Sequence, residues 1–189
     1  MNKIKSSLIL FAGLTVALLA IAAAGRQRVS PHETITAEID GNNMKLVYGR
    51  PYSKDPKTND VIRKVWGKLV PWGKVWRTGA DEATLLTTET PIVFGDFTLP
   101  AGTYSLFTLP VEEGTSKLII NKKTGQWGIP YNEKNEAENE LARVDMKKES
   151  VEKTVDQFTM ALEKNPSGGG IIKMTWENTR FTVAFTVKK

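Results

Sequence analysis

At 189 residues with a net charge of +5, the chain is long enough for one domain with a sizeable core, and its charge is too balanced for a nucleic-acid binder. It contains no cysteine, which excludes disulfides, thiolate nucleophiles, Cys-ligated zinc and a lipid anchor on cysteine. Its single histidine is His32.

The first 24 residues read as a secretory leader. Lys3 and Lys5 form a basic start, Leu8 to Ala24 is an uncharged run dominated by Leu, Ala, Ile and Val, and Ala22-Ala23-Ala24 offers small residues for a signal peptidase. Cleavage is expected after Ala24. The alternative is an uncleaved membrane anchor, because the apolar run over 8–24 reaches the short end of a spanning helix. Either reading predicts an extracytoplasmic domain in the periplasm or cell envelope. A polar linker follows over 25–34, and His32 reads as a solvated linker residue, since no second histidine exists to share a metal.

From Ile35 the pattern is extended. Ile35, Ala37 and Ile39 alternate with polar residues, Asp40-Gly41-Asn42-Asn43 is turn chemistry, and Met44, Leu46 and Tyr48 alternate again, so a hairpin is predicted. Tyr52 to Asp60 reads as a polar loop, and Val61 to Trp66 as a short turn of helix. Trp66 to Thr84 fits no simple period. It carries three of the five tryptophans, with glycines, a proline, Arg77 and the adjacent carboxylates Asp81 and Glu82. Strands are then expected over Ala83–Thr87, Ile92–Phe94, Phe97–Leu99, Thr103–Leu109 and Lys117–Asn121. Tyr131 to Leu141 reads as an acidic loop with a surface turn of helix. Strands follow over Ala142–Met146 and Val155–Leu162, a loop at Asn165–Gly170, then Ile172–Trp176 and Phe181–Val187 about a turn at Glu177-Asn178-Thr179. The frequent turn signals predict an all-β, single-domain sandwich or jelly-roll-like fold of roughly ten short strands over 35–189, behind an N-terminal signal or anchor helix.

The chemistry available is narrow. A lone histidine in a linker and the lack of cysteine leave no Ser-His-Asp or Cys-His nucleophile. No metal site and no cofactor are expected, because no spaced ligand set is visible. A carboxylate pair is the remaining enzymatic route, with Glu82 and Glu177 as acid and base candidates. Tryptophan faces beside arginine forks suit sugars, planar groups and carboxylates. The candidate ligand-binding residues are therefore Arg50, Arg77, Glu82, Tyr104, Trp72, Trp76 and Trp127. The competing reading is that the tryptophans plug the ends of the sandwich and that Arg77 bonds Glu82 or loop carbonyls. Arg77 is expected to be largely buried and paired with Glu82 or Glu177 beneath Trp72 or Trp127.

The stretch Gly67-Lys68-Leu69-Val70-Pro71-Trp72-Gly73-Lys74-Val75-Trp76-Arg77-Thr78-Gly79-Ala80-Asp81-Glu82-Ala83-Thr84 resembles the bacterial family called domain of unknown function 2911. Tyr48-Gly49-Arg50-Pro51, Leu99 to Phe107 and Asn121 to Gly128 agree with it as well, so the resemblance spans about 35–187. Two positions depart from the family pattern: Trp72 stands where Tyr is usual and Asp81 where Asn is usual. The resemblance implies an exported protein of Bacteroidetes-type bacteria and supplies no mechanism.

Two functions from different classes remain. One is a non-catalytic binding or interaction domain of the cell envelope, its partner a small molecule, a glycan or an envelope protein. The other is a carboxylate-dependent glycan hydrolase using Glu82 and Glu177. No nucleic-acid partner is expected, and membrane contact only through an uncleaved N-terminal segment.

Overall fold

The computed structural model describes residues 30–55, 57–128, 131 and 137–188. The leader at 1–24 and the linker up to residue 29 lie outside the described residues. Among the described residues nine strands make one antiparallel sheet: β1 (His32–Ile39), β2 (Asn42–Gly49), β3 (Thr84–Thr88), β4 (Ile92–Phe94), β5 (Phe97–Leu99), β6 (Gly102–Leu109), β7 (Ser116–Asn121), β8 (Glu140–Lys164) and β9 (Gly170–Val187). Their order across the sheet is β1-β2-β3-β6-β7-β8-β9-β4-β5.

The hairpin of β1 and β2 is closed by Asp40 and Gly41, at φ 50° and 81°, with Ile39 opposite Asn42. Two consecutive positive φ values give the turn a twist that matches the strands. Met44, Leu46 and Tyr48 are buried while Lys45 faces out, the alternation that a one-sided sheet requires.

The last two strands are much longer than the sequence reading suggests. The predicted Ala142–Met146 and Val155–Leu162 strands are parts of one 25-residue β8, and the segments on either side of Glu177 are parts of one 18-residue β9. Irregularities absorb what looks like turn chemistry. The β8–β9 register shifts between Ser150 and Val155 and again between Val155 and Thr159, and Glu177 adopts φ 51° without ending its strand. β8 first pairs with β7 and then, from Lys147, with β9.

These bulged strands carry the sheet over onto its own beginning. The Tyr48 hydroxyl accepts a hydrogen bond from the Met160 amide at 3.0 Å, and its ring meets Phe158 edge-on at 5.8 Å. The main apolar core draws on all nine strands. Burial drives the Tyr48 phenol up to about 12, and the Glu33 carboxylate that accepts its proton reinforces the shift. The enclosure expected of a sandwich is thus made by a single folded-over sheet.

Between β2 and β3 the chain leaves the sheet over residues 50–83 and returns to the strand beside the one it left. This excursion holds the long motif and contains no helix among its described residues; Val61 to Trp66, predicted as a helical turn, is held instead by bridges from Lys54 to Val61 and from Trp66 to Val70. A 3-10 turn stands at Ala137–Asn139.

Candidate functional site

Four bulky apolar side chains anchor the excursion. Val65, Trp66 and Val70 are buried, and Trp76 pairs with Thr108 at the end of β6 through two 2.8 Å backbone bonds. The indoles fill one another's faces. Trp66 stacks on Trp72 at 5.5 Å and 12°, and Trp76 on Trp176 at 6.0 Å and 23°. Trp66 donates its Nε1 proton to the Trp176 carbonyl, which satisfies a buried donor. Lys148 lies 5.4 Å from the centre of the Trp72 ring.

Directly after the Trp76 bridge the backbone closes into a tight loop over Arg77–Thr84. Thr84 returns its amide to the Arg77 carbonyl and its hydroxyl to the Thr78 carbonyl at 2.6 Å. Thr78 and Asp81 are held at φ 57° and 63°, a region costly for a β-branched residue. Thr78 is fully buried, and its Oγ1 has no hydrogen-bond partner among the described residues. The loop is pressed against β2: a Cβ on Gly49 would stand 2.3 Å from the Ala80 oxygen, and one on Gly79 would stand 2.8 Å from the Gly49 oxygen. The Tyr-Gly-Arg-Pro and Thr-Gly-Ala-Asp blocks therefore meet through two residues without side chains.

A cleft of about 280 Å3 opens beside this loop, lined among others by Pro51, Arg63, Leu69, Trp76, Arg77 and Asp81. Arg77 is half-buried. Its Nε donates to the Gly79 carbonyl at 3.4 Å and its Nη1 to the Asp81 carbonyl at 3.2 Å. Both acceptors are neutral. Burial lowers the pKa of the guanidinium, and the Asp81 carboxylate opposes that shift through space. The expected bond to Glu82 or Glu177 is replaced by bonds to the loop's own carbonyls, because the sharp turn aims them inward. Gly128 packs on the aliphatic stem of Arg77, so the segment containing Trp127 covers it.

Asp81 is buried and answers to a residue that sequence reasoning placed in solvent. His32 is the first residue of β1, mostly buried, with Nε2 3.3 Å from Asp81 Oδ2 and 3.5 Å from Glu82 Oε2. The Ser30 amide donates to Asp81 Oδ2 at 3.4 Å. His32 is thus a clasp between the start of β1 and the Arg77 loop, which corrects the reading of a solvated linker. The signal that could have found it was the extra charge at position 81, which needs a partner when buried. Among the described residues no group of three His, Asp or Glu side chains is arranged to hold a metal.

The other candidates fall apart from the cleft. Arg50 pairs with Glu33 at 2.9 Å and donates to the Phe158 carbonyl and Thr159 Oγ1, a tie between β2 and β8. Tyr104 is buried and donates to the Pro100 carbonyl at 3.0 Å. Glu82 lines a pocket with His32 and Tyr48, whereas Glu177 lines another with Lys54 and Asp156. The two carboxylates do not face each other across one cleft. Burial and the nearby Asp156 carboxylate push the Glu177 pKa up, against a bond from the Val65 backbone. Arg63 and Leu69, two cleft residues, carry no sequence signal that would have singled them out.

The chain belongs to the family described as Protein of unknown function (DUF2911), whose profile matches residues 30–185. No curated protein and no solved structure matches it.

Proposed function

We propose that this member of the family is an exported, non-catalytic binding domain that takes a small planar molecule bearing an acidic group in the cleft beside Arg77. The observation that carries the reading is the state of that guanidinium. It is half-buried and bonded to neutral carbonyls, with its charge met through space by one carboxylate. An arginine so placed gains from a second anion, which it can grip with donors already oriented. Trp76 and Leu69 supply an apolar wall for the rest of the ligand. A sugar-stacking platform fits less well, because Trp72 and Trp76 spend ring faces on Trp66 and Trp176. The strained, under-bonded loop at Thr78 also supports a site here, since backbone strain gathers where geometry is imposed for binding. Export rests on the basic start and apolar run of the first 24 residues.

The test is a thermal-shift screen of paired aromatic compounds, each as carboxylate and as neutral amide, with glycan oligomers alongside. A carboxylate present at 100 times its Kd should stabilise the protein by about 2.7 kcal/mol, and Arg77→Met should abolish the shift. Equal response to acid and amide, or a shift that survives Arg77→Met, would remove the proposal.

A further inference from the structure

The outer part of the same excursion presents a surface that binding in the cleft does not explain. Val61 is 69% exposed, Ile62 52% and Leu69 40%, and these are three of the four large apolar side chains so exposed among the described residues. They are not loose. Val61 bridges to Lys54, the Ile62 amide donates to the Ser53 carbonyl at 2.9 Å, and the Leu69 amide donates to the Lys64 carbonyl at 3.2 Å. Asp55 accepts from the amides of Lys57 and Thr58, which fixes the preceding turn. Arg63 donates to the Tyr52 carbonyl and so braces the loop from outside. Val65 and Trp66 are buried between the exposed segments and root the projection in the core.

The exposed charge along this segment is mostly positive, although Val61 also borders the pocket that holds Asp156 and Glu177 beside Lys54. Lys57, Arg63, Lys64 and Lys68 are exposed along the segment, and Asp60 is the one exposed acid within it. A β-branched pair held out of a folded domain, in a segment with four exposed cations against one exposed acid, matches the chemistry of an interfacial anchor: apolar side chains enter the headgroup layer while basic ones meet lipid phosphates. A protein partner of purely apolar character would leave those cations desolvated and unpaired.

We propose that segment 57–69 is a docking lip for an anionic lipid surface, with Val61, Ile62 and Leu69 as its inserting residues. Arg63 and Leu69 also line the Arg77 cleft, so docking would turn that cleft toward the membrane. The proposal does not depend on the cleft holding a ligand.

The lack of cysteine makes a local probe straightforward. The full chain carrying Ile62→Cys is labelled with an environment-sensitive fluorophore, and a second sample is labelled through Ser167→Cys, in the exposed hairpin loop at the far end of β8 and β9. A local readout separates the lip from any membrane contact made by the apolar run over 8–24. On phosphatidylglycerol vesicles the probe at 62 should shift to the blue and the probe at 167 should not. Phosphatidylcholine vesicles should leave both unchanged. Adding Lys64→Glu and Lys68→Glu should weaken the response at 62 by roughly tenfold or more, and salt should weaken it further. Arg77→Met should leave it intact, which separates this test from that of the cleft. A silent probe at 62 on anionic vesicles, or an equal response on phosphatidylcholine, would overturn the proposal. So would a shift that grows with protein concentration in the absence of vesicles, since the lip would then be covered by a second copy.

Discussion

Replacing Gly49 by alanine tests the contact on which the cleft is built. Gly49 needs no left-handed backbone, so the substitution carries no conformational penalty of that kind, and its effect is steric. The new Cβ would lie 2.3 Å from the Ala80 oxygen and 2.9 Å from the Ala80 carbon, where ordinary contact starts near 3.4 Å. Both neighbours are backbone atoms, so the strand and loop must part by about 1 Å. They are held together by the reciprocal approach of Gly79 to the Gly49 oxygen and by the Thr84 bonds that close the loop. Overpacking of this kind costs about 2–3 kcal/mol, which for a domain of this size lowers Tm by roughly 5–10 °C. Gly41→Ala is the control: its φ is 81° with nothing within 4 Å of the new Cβ, so it carries only the backbone cost of about 1–2 kcal/mol. Calorimetric melts of the two variants should rank Gly49→Ala as the more damaging, and only Gly49→Ala should blunt a carboxylate's stabilisation at Arg77. A Gly49→Ala protein that melts within about 1 °C of the parent would refute the packing of the Arg77 loop on β2.

Three further outcomes follow from the same geometry. Arg50→Ala should cost about 1–2 kcal/mol by chemical denaturation, because the Glu33 pair is partly exposed while the bonds to Phe158 and Thr159 tie β2 to β8. Glu177→Gln should stabilise the protein at neutral pH and make no difference in acid. Burial first, and Asp156 after it, raise the Glu177 pKa, so its favourable contribution is complete below the ordinary carboxylate range and is lost as pH rises through the raised value; melts of both proteins from about pH 3 to 8 check the sign. Asp81→Asn should keep the fold and tighten carboxylate binding at Arg77 several-fold in titration calorimetry, since the competing charge is removed.

The strands were legible wherever one face is buried and the other wet. Met44, Leu46 and Tyr48 announce β2, and Ile172, Met174 and Trp176 announce their part of β9. The joins within β8 and β9 were not legible, because Glu177-Asn178-Thr179 is turn chemistry wherever it occurs. Only pairing with a long neighbour, which bulges opposite it, carries it through as strand, and that pairing is decided by contacts far away in the chain. The importance of Trp66 to Thr84 was visible from its composition. Which side chains it gathers was not: Arg63 and Leu69 reach the cleft because Val65 and Trp66 are buried between them, a tertiary consequence with no local pattern.

Position 81 shows how a residue and its partner can explain each other. Asparagine there would be a neutral side chain that tolerates left-handed backbone well. Aspartate keeps the conformation, φ 63°, and adds a charge in a place that is 6% exposed. A buried carboxylate must find compensation, and three groups supply it: the Ser30 amide, His32 Nε2 and, through space, the Arg77 guanidinium. One of these opens β1 and another lies two residues before it, so the charge recruits that segment onto the loop. The same carboxylate tempers Arg77, reducing its demand for an external anion without bonding to it. In this chain, then, the affinity of the cleft and the attachment of the first strand meet at one side chain, and a change at either His32 or Asp81 should be felt by both.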